Sequence, residues 1–401
     1  MKKQPLKSFL RELTLLPLLK TASRSRERTR SRKPETKIKL VLLISRTHDI
    51  DLLCNIYRRA AERSGIEAVF WARRKVLEEF PATRELLKKR GLEIEFTVGH
   101  GNLKDAISRL MQVDALLNTV ESSIAEHKVA SRLVRIARAA GVRTYTLQHA
   151  FENIGLTYID PEIGNNINFA ADRILTWGKP ENLTGNPTPD TLAKCVAVGC
   201  PKFNPESPVC NQETPPRQPL IAIFEGLHAK QFSPDYRKHF FHDLQETANR
   251  FQEFIFMLKP HPSITKRAPD HAAALRSLNN ITVLDPADPT NNTTWPTPKL
   301  LATARGVITT PSTIALDTAL NDTPVAVTRY RMESPNYKRY QPLPLLDNTN
   351  DWHNFLQDLQ RNRQGLKEKT GSFRKRVIIP GDAAARILDI VEEEHKKTIL
   401  R

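Results

Sequence analysis

The sequence predicts an α/β fold of two Rossmann-like domains facing each other across a cleft. Three observations carry this. Short apolar runs such as Ile38–Ile44 (IKLVLLI) and Leu220–Phe224 (LIAIF) have the length and continuity of buried parallel strands. They alternate with helix-length segments, the pattern of βαβ units. The alternation stops at a stretch rich in Pro and polar residues, 204–218 (NPESPVCNQETPPRQ), and then restarts.

In the first module, strands are expected at Ile38–Ile44, Glu67–Trp71, Glu93–Val98, Ala115–Asn118, Thr144–Leu147, Arg173–Thr176 and Val196–Val198. Helices fall between them at Ile50–Arg63, Arg84–Lys89, Leu103–Met111 and Ile124–Ala140. In the second module, strands are expected at Leu220–Phe224, Phe254–Leu258, Ile281–Leu284, Gly306–Thr309 and Val325–Val327. Its helices are Tyr236–Gln252, Asp270–Leu278, Lys299–Ala304 and Thr313–Leu320. Asp382 is placed to cap a last helix, with Ala384, Ile387, Leu388 and Val391 on one face.

The formal net charge of +17 is unevenly distributed. Residues 1–40 hold thirteen Lys or Arg against Glu12, Glu27 and Glu35, so this segment is +10 and the remainder only 17 − 10 = +7. Leu6, Phe9, Leu10, Leu13, Leu16 and Leu19 recur at helical spacing beside Lys2, Lys3, Lys7, Arg11 and Lys20. Arg24–Lys33 follows with no apolar residue. A basic amphipathic segment of this kind suits an anionic membrane surface. A helix packed on the protein's own body is the plainer alternative. Nucleic acid is disfavoured as a partner, since no aromatic residue is interleaved with the arginines.

No run of eighteen apolar residues reads as a transmembrane helix, and the start of the chain lacks a clean signal-peptide core. Cys54, Cys195, Cys200 and Cys210 form no C-x-x-C pair and read as reduced thiols of a cytosolic protein. No metal site is evident. P-loop and dinucleotide glycine fingerprints are absent, which disfavours P-loop hydrolysis and ordinary dinucleotide chemistry. The D-x-D triplet Asp49-Ile50-Asp51 runs into the helix expected from Ile50, and no such triplet lies in a loop after a strand, which disfavours metal-dependent transfer.

Five loops carry candidate chemistry. Phe254–Ser263 (FIFMLKPHPS) runs from a strand into Lys259, His261 and Pro262, where a cation and an imidazole in a Pro-stiffened loop suit a phosphate. The alternative is a stiff surface loop. Thr309–Thr313, with Thr310, Ser312 and Thr313, joins a strand to a helix and reads as an anion site or a plain cap. After Thr144–Leu147 come Gln148, His149 and Glu152; His149 or Glu152 could deprotonate an acceptor hydroxyl, or His149 could be structural. Glu225-Gly226 follows Phe224 and reads as ligand contact, general base or turn. His48-Asp49 follows the first strand and could touch an acceptor, while Gly199–Phe203 (GCPKF) shapes a hinge.

The order QHAFENIGL, ADRILTWG, VAVGCPKFN, MLKPHPS, ITTPSTIALDTALNDTPVAV resembles the bacterial GT-B enzymes of surface polysaccharide assembly over about residues 38–335. These include capsule polymerases, the CMP-sialic acid and Kdo transferases with a His-Pro motif, and CDP-glycerol glycerophosphotransferases. The resemblance implies that His261, Ser312 and Thr313 meet donor phosphate and that His149 activates the acceptor. Ala150 stands where the glycerophosphotransferases have Gly. Of the acidic-acidic-Gly motif of the sialyltransferases only Glu225-Gly226 matches, in the second module.

These readings together lead to the following organisation. Residues 1–37 form a membrane-associating segment, 38–208 an acceptor domain, 209–218 a linker, 219–380 a nucleotide-donor domain and 381–401 a terminal helix. The expected activity is metal-independent transfer from a CMP-, CDP- or UDP-linked sugar to a glycan or lipid-linked acceptor, without a cofactor, at the cytoplasmic face of the inner membrane. Polyol phosphate transfer and UDP-sugar epimerisation are rivals within the fold. A non-catalytic, membrane-tethered glycan-binding protein is the rival outside it.

Overall fold

The computed structural model describes residues 37–159, 164–202, 218–227, 232–261, 275, 278–285, 288–330 and 337–399. The basic segment 1–36, most of the linker, most of the helix expected at Asp270–Leu278, Pro262 and Cys210 lie outside the described residues. The chain divides into two compact units, one made of Met1–Asn204 with Ile378–Arg401 and the other of Pro205–Val377.

The first unit is built on seven strands: β1 (Ile38–Ile44), β2 (Ile66–Arg73), β3 (Ile94–Val98), β4 (Ala115–Asn118), β5 (Arg143–Leu147), β6 (Arg173–Thr176) and β7 (Cys195–Ala197). Their order is β3-β2-β1-β4-β5-β6-β7, and every pair is parallel. Central β1 has helices on both faces of its sheet, so Leu40–Ile44 are fully buried and this run is apolar without alternation. Val41, Leu43 and Leu116 pack against Leu133, Val134 and Ala137 of the helix Lys128–Ala139.

The second unit repeats the plan with β8 (Leu220–Glu225), β9 (Ile255–Pro260), β10 (Ile281–Val283), β11 (Gly306–Thr309), β12 (Val325–Thr328) and β13 (Leu345–Leu346). The order is β10-β9-β8-β11-β12-β13, again parallel throughout. Ser233 caps the helix Pro234–Arg250 by accepting the Tyr236 N–H at 3.1 Å, with Pro234 in the first turn, where its missing N–H costs nothing. Phe240 and Leu244 of that helix meet Ile221, Ile223, Phe256 and Trp352 in one core.

Several elements differ from expectation. The helix expected from Arg84 begins at Pro81, and a separate short helix, Arg74–Glu79, precedes it. β9 runs two residues beyond Leu258, so Lys259 and Pro260 lie inside the strand. β13 and the helices Thr349–Arg361 and Arg363–Val377 were not anticipated. The last helix, Ala383–Ile399, is capped as expected, Asp382 accepting the Ala385 N–H at 2.9 Å.

That helix docks on the first unit. Arg59 Nε meets Asp382 at 2.8 Å, Arg63 meets Asp389 at 2.8 Å, and Arg173 meets Glu394 at 2.9 Å. Ala384, Ile387, Leu388 and Val391 are buried. Gly199 adopts φ +91° where the chain passes Ile379 and Arg386. Arg386 Nε donates to the Val198 carbonyl at 2.8 Å, so this glycine segment receives the returning chain. Among the described residues, no helix is long and apolar enough to cross a membrane.

Candidate functional site

Ligands of open parallel sheets bind outside the carboxyl ends of the strands, where strand order reverses. In the first sheet that point lies between β1 and β4, and in the second between β8 and β11. The candidate residues collect at these two edges.

On the first unit, the loop after β1 carries Arg46, His48 and Asp49. Asp49 Oδ2 accepts the N–H groups of Ser45 and Arg46, each at 2.8 Å, which folds the loop back on the helix start. The side chain is fully buried, and His48 Nε2 stands 3.8 Å from its other oxygen. Part of the His48 side chain is exposed, yet crowding strips enough water from the ring to lower its pKa. Asp49 opposes this, while Arg46 and Lys202 add to it.

His149 follows β5 and is buried. Arg46 Nη1 lies 3.2 Å from His149 Nε2, and the His48 ring centroid lies 5.8 Å away. Burial holds the His149 pKa well below the ordinary value, with Arg46, His48 and His127 pushing the same way and the Thr119 backbone weakly opposing. The imidazole is therefore neutral. With Arg46 on Nε2, the lone pair is on that nitrogen and the proton on Nδ1. Among the described residues, Nδ1 has no well-formed hydrogen bond. Its loop is set by Asn153, whose Oδ1 accepts the His149 N–H at 3.1 Å and whose own N–H donates to Thr157 Oγ1 at 2.6 Å.

Gln148 is occupied internally. Its Oε1 accepts the Trp177 N–H and its Nε2 donates to the Ala150 carbonyl, both at 2.9 Å. Glu152 is half-buried in the following turn.

The loop after β4 was not singled out from the sequence. Glu121 in it is buried and accepts from Thr146 Oγ1 at 2.5 Å and from the Ala170 N–H at 2.7 Å, and burial raises its pKa. Ser122 Oγ lies 2.6 Å from His127 Nδ1. Among the described residues, Ser45 Oγ and Thr119 Oγ1 are buried without a hydrogen-bond partner at this same edge. The signal in the sequence was a polar cluster, NTVESS, directly after a buried strand.

On the second unit, β9, β8 and β11 lie side by side, with Lys259 opposite Phe224 and Phe224 opposite Thr309. Glu225 ends β8 with its carboxylate buried; Oε2 accepts the Leu227 N–H at 2.6 Å and Oε1 the His261 N–H at 2.8 Å. Burial pushes its pKa up to about 7, against these two bonds and Arg237. Thr310 Oγ1 accepts the Gly226 N–H at 2.9 Å. A Cβ on Gly226 would stand 3.4 Å from that oxygen, so the loops after β8 and β11 run close together. Ser312 Oγ lies 3.1 Å from Thr309 Oγ1 and accepts the Ile314 N–H at 3.3 Å, acting as a cap. Thr313 starts the helix Ile314–Leu320 with no side-chain cap bond.

Lys259 is half-buried and Nζ donates to the Trp295 carbonyl at 2.7 Å; burial lowers its pKa. His261, at the exposed end of the row, also has its pKa lowered by the crowding around it. Glu225, Gly226, Lys259, His261, Thr310, Ser312 and Thr313 thus share one sheet edge, and Pro262 lies outside the described residues. His48, Asp49, Gln148, His149 and Glu152 share the other. Among the described residues, no group of three His, Cys, Asp or Glu could hold a metal ion.

No family model and no curated protein sequence matches the chain. Solved structures do. A putative UDP-N-acetylglucosamine 2-epimerase from Listeria monocytogenes is 13% identical with a TM-score of 0.63, over 90% of this chain and 98% of that one. The UDP-GlcNAc 2-epimerase from Neisseria meningitidis, bound to UDP-GlcNAc, is 10% identical with a TM-score of 0.61, over 89% and 100%. The wall teichoic acid polymerase TagF is 13% identical with a TM-score of 0.58, over 99% of both chains. The likeness is one of fold. It places the protein among two-unit α/β structures of the GT-B type.

Proposed function

We propose that the protein is a metal-independent glycosyltransferase that uses a nucleotide-activated sugar to build a bacterial surface polysaccharide. The observation that carries this reading is the gathering of Lys259, His261, Gly226, Thr310 and Ser312 at the strand-order reversal of the second sheet. A cation, an imidazole, hydroxyls and a glycine whose backbone a ligand can approach are the groups a diphosphate requires. In this reading Lys259 and His261 offset the charge that grows on the leaving phosphate. The first unit offers the acceptor. His149, neutral and with a lone pair on Nε2, takes the hydroxyl proton once Arg46 moves off that nitrogen. Glu152 is the alternative base. Residues 1–37 hold the enzyme at the cytoplasmic face of the inner membrane.

The neighbours support two variants of the donor. The UDP-GlcNAc epimerases support a UDP-linked sugar. TagF, covering 99% of both chains, supports transfer of a polymer unit in wall teichoic acid style, such as a polyol phosphate.

Thermal unfolding with CMP, CDP, UDP, GDP and ADP tests the reading on the wild type and on Lys259→Ala/His261→Ala. A nucleotide at a hundred times its Kd stabilises by about 2.7 kcal/mol. A shift with one nucleotide, lost in the double variant, supports the donor edge. CMP would indicate a sialic acid or Kdo donor, CDP a polyol phosphate and UDP a hexose. No shift with any nucleotide in folded protein would overturn the reading and leave a non-catalytic glycan-binding protein.

A further inference from the structure

Through its carboxylate, Glu225 joins two loops of the donor edge. It ends β8, and its two oxygens accept backbone N–H groups from different segments: Leu227, two residues on, and His261, after β9. Both contacts are short, at 2.6 and 2.8 Å, and the side chain is 5% exposed. A third tie, from Gly226 N–H to Thr310 Oγ1 at 2.9 Å, links the same turn to the loop after β11. With both oxygens committed to the protein backbone, Glu225 sets the loops instead of touching the donor.

We propose that Glu225 is a positioning residue that clamps His261 to the Gly226–Leu227 turn, and that loss of its charge releases this clamp. The link to donor binding rests on the function proposed above; the clamp itself does not.

The chemistry is that of the two forms of the acid. A carboxylate accepts at both oxygens. A neutral carboxyl keeps one acceptor and turns the other oxygen into an O–H donor, which cannot pair with an N–H that faces it. One of the two loops then loses its tie. Burial brings this change to about pH 7. Among the described residues, the charged and titratable groups around the clamp are Arg237 on the helix Pro234–Arg250, whose Nε donates to the Leu227 carbonyl at 2.9 Å, Lys259 on β9, and His261 itself.

The test is a pH titration of backbone amides by nitrogen–proton NMR on the full chain, from pH 5.5 to 8.5. Leu227 and His261 amides are expected to shift together with a midpoint near 7 and to move upfield as the charge is lost. Glu225→Gln, which presents one acceptor and one donor at every pH, is expected to abolish that transition. A transition arising from the imidazoles of His228 or His261 would survive in this variant, and its survival would overturn the clamp. So would wild-type amides that stay fixed across the range, a result that needs no variant to fold.

Affinity for the stabilising nucleotide among CMP, CDP and UDP is the second readout. If only the charged form binds, affinity at pH 6 falls about tenfold below its value at pH 8, and Glu225→Gln binds weakly with no pH dependence. Equal nucleotide affinity in Glu225→Gln and wild type at pH 8 would overturn the positioning role. Absence of nucleotide binding at any pH would overturn the donor reading alone, leaving the clamp to be decided by the amides.

Discussion

Arg46 Nη1 stands 3.2 Å from His149 Nε2, a charged donor set against the lone pair of a buried imidazole. The contact fixes the tautomer and makes protonation of His149 costly, since a second cation would have to form beside the guanidinium. Replacing Arg46 by Met is expected to raise the His149 pKa while leaving it below the ordinary histidine value, because burial is the larger cause. Imidazole proton NMR of the two proteins checks this. An unchanged titration would mean that the guanidinium does not govern the imidazole.

The same burial predicts how the first unit responds to acid. His149 and His48 have pKa values lowered in the folded protein, so below pH 6.5 the unfolded chain binds more protons than the folded one. Stability from these groups is complete above that pH and is lost progressively as pH falls from about 6.5 toward the depressed folded values. Melting temperature is expected to fall between pH 7.5 and 5.5, and to fall less in His149→Gln. An identical fall in the variant would assign the acid sensitivity to other groups.

Much of the fold could be read from the chain because Leu40–Ile44 of β1 and Leu220–Phe224 of β8 are unbroken apolar runs, as strands buried on both faces require. The helix Arg363–Val377 escaped for the opposite reason. Arg363, Lys367, Lys369, Arg374, Lys375 and Arg376 leave only Leu366, Thr370 and Phe373 buried, too weak a stripe to register. β13 is two residues long and sits after Pro342 and Pro344.

The candidate edges were legible as residue types but not as geometry. Lys259 and His261 stood out beside two prolines. That Glu225 spends both oxygens on backbone N–H groups depends on contacts between loops distant in sequence. Gln148 and Asp49 likewise turned out to be engaged with backbone groups of their own unit. The docking of the last helix through Arg59, Arg63 and Arg173 is also tertiary, and nothing local to residues 381–401 announces it.

Gly199 is where that docking is most exposed to substitution. Its φ is +91°, and a Cβ would lie 2.6 Å from the Ile379 carbonyl and 2.9 Å from Arg386 Nη2. The arginine end can move, but the backbone carbonyl cannot without shifting the segment that leads to Asp382. Gly199→Ala is expected to destabilise the first unit by about 1–3 kcal/mol from the strained backbone, with the steric clash adding to it. Urea unfolding followed by the fluorescence of Trp71 and Trp177, both in the first unit, checks this. A midpoint equal to wild type would show that the returning chain adapts freely here.

Thr310 makes the complementary case on the second unit. Its Oγ1 is the acceptor for the Gly226 N–H, and the residue is buried, so water is poorly placed to replace it. Thr310→Val keeps the shape and removes only the oxygen, leaving Gly226 N–H unsatisfied at a cost of about 1–3 kcal/mol. Thr310→Ser keeps the oxygen. Faster amide exchange at Gly226 is expected in the valine variant and near-normal exchange in the serine variant. Because Gly226 lies in the turn tied by Glu225, the donor reading proposed above predicts that stabilisation by nucleotide falls with valine and recovers with serine. Equal nucleotide stabilisation in both, with Gly226 exchange accelerated only by valine, would show that this turn can loosen without consequence for the ligand.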